Sequence, residues 1–286
     1  MRHETGQSTL IRILRKPKGV IGVLFLVVLI LMGILAPYIA TSNPLQQNLR
    51  LRNSPPGSET PAGARLLLGA DQLGRDLLSR ILHGIRFSLL IAAAAIFVSG
   101  VVGCALGVLS GYVGGVLDSL VMRVVDIQLS LPLILIAMVW LAFTRPSAIN
   151  VIAIIALWTW TQYARTARAA TLAVRGSGFI EAARAVGVSV PAILMRHVMP
   201  NISASILVIA SVQFGRAIIL EATLSFLGVG LQPPAITLGA MIASGRQYVD
   251  TAWWIATFPG VAIMLMVLGA NFLGDTLRDV WDPKLR

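Results

Sequence analysis

Charge, cysteine and histidine are all scarce in this chain. Only 12% of its 286 residues are charged, about half the usual share in globular domains. Its mean hydropathy of +0.82 is too high for a water-soluble fold of this length. The scarcity of charge therefore excludes a soluble enzyme or binding module and points to an integral membrane protein. The single cysteine, Cys104, excludes an intramolecular disulfide and a thiolate metal cluster. It lies in an apolar run, as filler between helices. The three histidines, His3, His83 and His197, fall in separate tails and loops, and neither HExxH nor GxSxG occurs, so no nucleophile–base set for a membrane hydrolase is present. No Gly-Lys dipeptide occurs, which excludes a P-loop; any ATP that drives this protein is hydrolysed on another chain. Acidic residues are too sparse in the apolar stretches for a proton-coupled carrier.

What the chain has in excess is positive charge, +11 from 23 Lys plus Arg against 12 acids. No basic, aromatic-rich soluble surface remains to bind nucleic acid; in a membrane chain such residues set topology. Uncharged stretches long enough to cross the hydrocarbon, about 20 residues each, give six expected spans: Gly19–Ala40, Ser88–Leu109, one between Asp126 and Arg145, one between Arg145 and Arg165, roughly Asn201–Leu220, and one between Asp250 and Asp275. The first follows Lys16 and Lys18, exceeds a signal h-region of roughly 7–15 residues and has no clear Ala-x-Ala site after it, so it is expected to be retained. The uncharged stretch Ala222–Gly245 carries Pro233-Pro234 and four glycines, and is expected as a short re-entrant or external segment. The implied layout is a tail over 1–18, a first span over 19–40, an outside loop over 41–86, spans two to six over 87–275 and a tail over 276–286. With both termini in the cytoplasm, 14 bases lie inside and eight outside, Arg216 falling within span five.

The outside loop begins with an irregular Pro/Gly/Asn/Ser-rich part. It ends on Leu77-Leu78-x-x-Ile81-Leu82-x-x-Ile85, spaced for an amphipathic helix with Arg80, His83 and Arg86 on its other face and an i,i+4 pair of Asp76 with Arg80. Gly103, Gly107, Gly111 and Gly115 step by four and predict close helix packing. Arg216 and Glu221 are the charges near mid-chain apolar sequence; a role as partners for neighbouring helices or lipid headgroups and a contact to substrate are both open for them. Between spans four and five, Arg165–Pro200 forms a basic loop. Within it Ser177 is placed to cap a helix over Phe179–Val186 that stops at Gly187 in the left-handed conformation. A second helix follows, with Ser189 as cap and Pro191 in its first turn, over Ala192–Met199, ending before Pro200.

Glu181-Ala182-Ala183, followed at fixed spacing by Gly187 and Pro200, resembles the "EAA" loop of membrane subunits of bacterial ATP-binding-cassette importers, although His197 and Met199 depart from its final Ile-x-Leu-Pro. Arg196–Asn201, Leu68–Asp76, Gly111–Asp118, Met122–Asp126 and Ser225–Pro234 resemble segments of the dipeptide/oligopeptide/nickel branch, in order, from Leu68 onward; the first 65 residues match in layout only. The resemblance implies an all-α integral membrane protein with the six-span type I importer permease fold, acting as the "C" member of a heterodimeric pore for short peptides in the bacterial inner membrane. The same importer class also carries nickel, glutathione and opines; a self-contained ion-coupled carrier and a membrane enzyme are the readings from other classes. It further implies a B-type second permease, two ATP-binding subunits that bind ATP and Mg, and a periplasmic or lipid-anchored solute-binding protein, with no cofactor on this chain. Carried onto this sequence, Glu181, Ala182, Ala183, Arg184, Gly187 and Pro200 form the element that couples to the ATPase: Glu181 as a polar contact or helix-start anchor, Ala182 and Ala183 for close approach, Gly187 for the turn.

Overall fold

The computed structural model describes residues 17–281 apart from 62 and 64; of the expected tails over 1–18 and 276–286, residues 1–16 and 282–286 lie outside the described residues. Among the described residues the chain is all-α but for a short hairpin, β1 (Ser58–Glu59) and β2 (Arg65–Leu66), and an isolated bridge between Ala70 and Asp76. Its helices are α1 (Pro17–Ile39), α2 (Leu77–Val113), α3 (Gly115–Leu129), α4 (Leu133–Phe143), α5 (Ala148–Arg175), α6 (Gly178–Ala185), α7 (Val190–Ile193), α8 (Met199–Phe226), α9 (Leu238–Gly245) and α10 (Trp254–Trp281). Among the described residues four stretches are long and apolar enough to cross a membrane: Gly19–Ile39, Leu77–Val113, Val190–Phe226 and Trp254–Val280; the bent pair α3–α4 makes a fifth if it is one span.

Several expected boundaries shift, each for a local reason. No breaker separates Ile85 from Ser88, so the expected amphipathic helix and second span are one 37-residue helix, α2. Asp76 caps it through Ser79 N at 2.8 Å and also accepts from Thr41. The expected Asp76–Arg80 pair is absent because the Arg80 guanidinium turns to Asp71 instead. Arg80 is buried rather than facing outward; it pairs with Asp71 at 3.3 Å and donates to Pro44 O. The expected third span breaks at Ser130–Pro132, where α3 and α4 meet at 90°, because proline cannot continue the ladder. The fourth expected span is the apolar half of α5, which runs on without a breaker through Arg165 and Arg168 to Arg175. Likewise Ala222–Phe226 continues α8, and the remainder of that stretch forms only the eight-residue α9, too short to cross.

Among the described residues three buried clusters hold the bundle, the smallest joining Val125 of α3 to Trp160 and Ala164 of α5; the two larger lie at opposite ends. One, at the end where α2 starts, joins Leu77, Ile81 and Ile85 to Leu224, Leu238 and Trp254. The other, at the opposite end, joins Val108 and Tyr112 to Tyr163, Ile180, Ile193 and Val198. Segment 41–76 folds over the first cluster around Asp71, which is 2% exposed. Its Oδ1 accepts from Leu73 N at 2.9 Å and Arg75 N at 3.0 Å, and its Oδ2 from Arg75 Nε at 2.7 Å. Asp71→Ala strands two backbone donors and leaves Arg75 and Arg80 buried without their carboxylate. The expected loss is about 3 kcal/mol, read as a lower Tm of the detergent-purified protein and faster proteolysis within 41–76. Asp71→Asn keeps one acceptor and loses less; wild-type behaviour of the alanine variant would show that the cap does not depend on this carboxylate.

Candidate functional site

The segment between α5 and α8 is shorter as a loop than the expected Arg165–Pro200, since helix claims both its ends; the turn-rich part is 176–189. Helix α6 is eight residues, about 12 Å, long. Ser177 stands at its N-cap position with extended backbone, but its hydroxyl donates to Val174 O at 2.6 Å instead of capping. At the other end Gly187 has φ +81°. Gly187 N donates to Arg184 O and Val188 N to Ala183 O, both at 3.0 Å, the paired bonds of a Schellman motif. The expected left-handed stop is present.

Pro200 does not end the second helix. Val190–Phe226 is one continuous helical stretch, with a single wide turn over Leu194–Val198 just before proline in the first turn of α8. A proline is tolerated there because its missing N–H falls where the ladder is already rearranged. Ser189 occupies the N-cap position of α7 without a side-chain cap, and Pro191 lies in its first turn, as expected.

Helix α6 is pinned by two side chains, Ile180 and Arg184. Ile180 is wholly buried against Tyr112, Val108 and Ile193. Arg184 lies over the Tyr112 ring, 4.8 Å from its centroid, and donates to the Tyr112 hydroxyl at 3.0 Å. Arg175 reaches Gly111 O at 3.4 Å. Arg168 grips Asp118 with Nε at 2.5 Å and Nη2 at 2.6 Å, and Ser110 also donates to that carboxylate. Arg165 pairs with Asp126 at 2.6 Å. Ile180 and Arg184 thus tie α6 to the end of α2, and the arginines of α5 tie α5 in turn to α2 and α3. The other face of α6 is open: Glu181, Ala182 and Arg184 are exposed, Ala183 half-buried, and Val186 84% exposed. The Glu181 carboxylate makes no hydrogen bond to a described residue.

The glycine series does what spacing predicted at three of four positions, and the structure supplies the partner. Gly103, Gly107 and Gly111 each face the α5 backbone: an added Cβ would meet Trp160 O and Ala164 O below 2.5 Å and Arg168 O at 2.9 Å. Gly115 is not part of the stripe. It follows Gly114 at the α2–α3 turn, both with positive φ, and nothing approaches it, because α2 has already ended at Val113.

Of the two charges near mid-chain apolar sequence, Glu221 is 1% exposed and accepts from Ser88 and Ser225, both at 2.8 Å; it joins α8 to α2. Arg216 is exposed. Alongside α2 and the α7–α8 segment runs an apolar groove of about 940 Å³ whose floor includes Cys104 and Tyr163. Ile180, Tyr112, Asp118 and Arg168 were not assigned a role in the sequence. The signal for the last pair was available in Gly111–Asp118 and in the arginines after Trp160, but only pairing α3 with α5 brings them together.

Residues 103–286 match the family described as "Binding-protein-dependent transport system inner membrane component", and residues 5–56 that described as "N-terminal TM domain of oligopeptide transport permease C". The chain is 39% identical over 270 residues to the di/tripeptide transport system permease protein DppC of Pseudomonas aeruginosa, covering 94% of this chain and 89% of that protein. It is 38% identical over 268 residues, 94% and 88% of the two chains, to the probable D,D-dipeptide transport system permease protein DdpC of Escherichia coli. Among solved structures, an inward-facing form of the MetNI methionine ABC transporter aligns with TM-score 0.58 at 24% identity, over 71% of this chain and 96% of that one; that likeness concerns the fold.

Proposed function

We propose that this chain, which belongs to the family of binding-protein-dependent transport system inner membrane components, is one of two permease subunits forming the pore of an ABC importer for short peptides. It is an integral inner-membrane permease, not an enzyme, and its relatives at this identity are named for dipeptides and tripeptides. Six spans follow if α3–α4 counts as one and α5 as another. At 28 residues α5 is about 42 Å long, and two arginines of its basic half are neutralised by Asp118 and Asp126. Packing supports this ordering. Gly33 of α1 meets Arg86 of α2, while Gly103, Gly107 and Gly111 meet Trp160, Ala164 and Arg168 in parallel register; Gly215 and Gly274 pair α8 with α10 in opposite directions. Segments 41–76 and 227–253 then share one side, and α6 with both termini the other, where the excess of bases lies.

The observation that carries the coupling role is α6 itself, a short helix pinned to the bundle at Ile180 and left uncovered along Glu181, Ala182 and Val186. Closure of two ATP-binding subunits, which bind the ATP and Mg, pushes this helix and its counterpart on a second, homologous permease. Because α6 is tied to the end of α2, which α5 grips in turn, the push tilts the pore from inward- to outward-facing, the state that a loaded solute-binding protein also favours. Each effector shifts the balance only by its differential affinity for the two states. Native mass spectrometry of the complex, purified through this chain after co-expression with its neighbouring genes, tests the reading. One copy of this chain, one second permease and two ATPases are expected, with dipeptide uptake lost when the ATPases are deleted. A homo-oligomer still active in vesicles without ATPases would replace the reading with an ion-coupled carrier.

A further inference from the structure

Helix α8 carries a charge at membrane depth on the face it leaves open. Arg216 lies ten residues before Phe226 and 17 after Met199, about 15 Å and about 25 Å along the axis. Its neighbour Gly215 packs against Asn271 of α10, and Gly269, two residues earlier on α10, packs against Phe25 and Leu26 of α1. The layer is therefore one of apolar helices, about 15 Å along the axis from the nearer end of α8. Arg216 is exposed and shares its face, at helical spacing, with Val212, Ile219 and Thr223. Among the described residues no carboxylate stands within ion-pair distance of it. Glu221, the acid on the same helix, is turned inward to Ser88 and Ser225.

An arginine here does not face lipid tails, because intramembrane charge is tolerated only toward water, a cavity or a counter-charge. Its one hydrogen bond runs from Nη1 to Oε1 of Gln213 at 3.2 Å, and Gln213 is 2% exposed. A buried amide thus braces one edge of the guanidinium, leaving the rest of a planar five-donor fork presented outward, the geometry that grips a carboxylate. Resting on the peptide-importer reading above, we propose that Arg216 lines the water-filled path and receives the α-carboxylate of the peptide in transit, with Gln213 as its positioning residue. Every short peptide with a free C-terminus carries that group whatever its side chains, so one fork suits a permease that passes many sequences. A single fork also holds loosely enough to release.

The test uses the complete transporter in proteoliposomes, with Arg216→Cys in a chain whose Cys104 is replaced by Ser. Water-soluble methanethiosulfonates should modify position 216. A dipeptide should slow that reaction at least about fivefold, whereas the same dipeptide as its C-terminal amide should not. Dipeptide uptake should fall about tenfold or more, recover on modification with the aminoethyl reagent and not with the sulfonatoethyl one, and persist substantially in Arg216→Lys. No modification, equal protection by the amide, or unchanged uptake in the cysteine variant would each overturn the assignment. Loss of the second permease from the purified complex would also overturn it, by making Arg216 the partner of an acid on that subunit. Absence of ATP-dependent dipeptide uptake in wild type would instead overturn the importer reading, and the labelling by itself still decides whether Arg216 faces water.

Discussion

Gly107→Val is expected to leave almost no correctly folded protein in the membrane. A Cβ at this position would meet Ala164 O, and the Ala164 C and Cα would both lie at 2.9 Å. These are backbone atoms of α5, which cannot rotate away as a side chain would. The helices must separate instead, along a seam where Gly103 and Gly111 make the same approach. Lipid tails are as apolar as the residues on that seam, so close packing, rather than exclusion of water, holds α2 to α5. Overpacking of this kind costs about 3 kcal/mol or more, a large share of the roughly 5–15 kcal/mol that holds a fold together. Fluorescence-detected size-exclusion of the solubilised protein should show the monodisperse peak lost. Gly111→Ala, whose Cβ would lie 2.9 Å from Arg168 O and 3.0 Å from the Thr171 Cβ, should keep the peak with a lower Tm. Gly260→Ala on α10, where nothing lies within 4 Å, should match wild type or exceed it, since alanine favours helix over glycine. A wild-type Tm for Gly107→Val would mean that the α2–α5 seam is not packed in this way.

The seam also shows which parts of the structure could be read in advance. A four-residue glycine step reports that some backbone comes close, and it did so at Gly103, Gly107 and Gly111; it is silent on whose backbone, because that depends on the path of α5. Gly115 misled because spacing continues through a helix end that only the turn at Gly114 reveals. Gly187 was legible for the opposite reason: its left-handed turn is a local matter, set by the chain immediately before and after it. Charges were the least legible. Arg80 has the spacing of an outward residue and is buried, since Asp71, nine residues earlier, folds back over it. Asp118 and Arg168 are 50 residues apart and meet only once α3 lies against α5. Pro200 has the look of a stop because proline usually is one, and a single wide turn before it removes the conflict. Apolar stretches located the helices well, but not where they broke or fused, as α2 and the bent α3–α4 pair both show.

Gly187→Pro is expected to abolish peptide uptake, by about two orders of magnitude, while leaving the protein inserted and assembled. The native φ of +81° is out of reach of a ring that fixes φ near −65°, and proline also removes the N–H that Gly187 gives to Arg184 O. Both closing bonds of α6 depend on that turn, so the helix end unwinds just where Val186 is most exposed. Insertion should be spared because Ile180, which helps pin the helix, lies seven residues earlier, and a Cβ added at Gly187 would meet nothing within 4 Å. Gly187→Ala separates strain from loss of shape: it keeps the N–H, adopts the left-handed conformation at a cost of about 1 kcal/mol, and should retain a substantial fraction of uptake. The contact face can be tested apart from the turn with Ala183→Glu, which sets a charge at a half-buried position and should also stop uptake. Proteoliposomes holding the complete complex give both readouts, ATP-dependent dipeptide uptake and ATP hydrolysis. In the proline variant hydrolysis should persist near its basal level and no longer rise with loaded binding protein, since the ATPases still close but no longer push a formed helix. Normal uptake by both the proline and the glutamate variants would remove α6 from the coupling path, and the next element to examine would be the Asp118–Arg168 contact that ties α3 to α5.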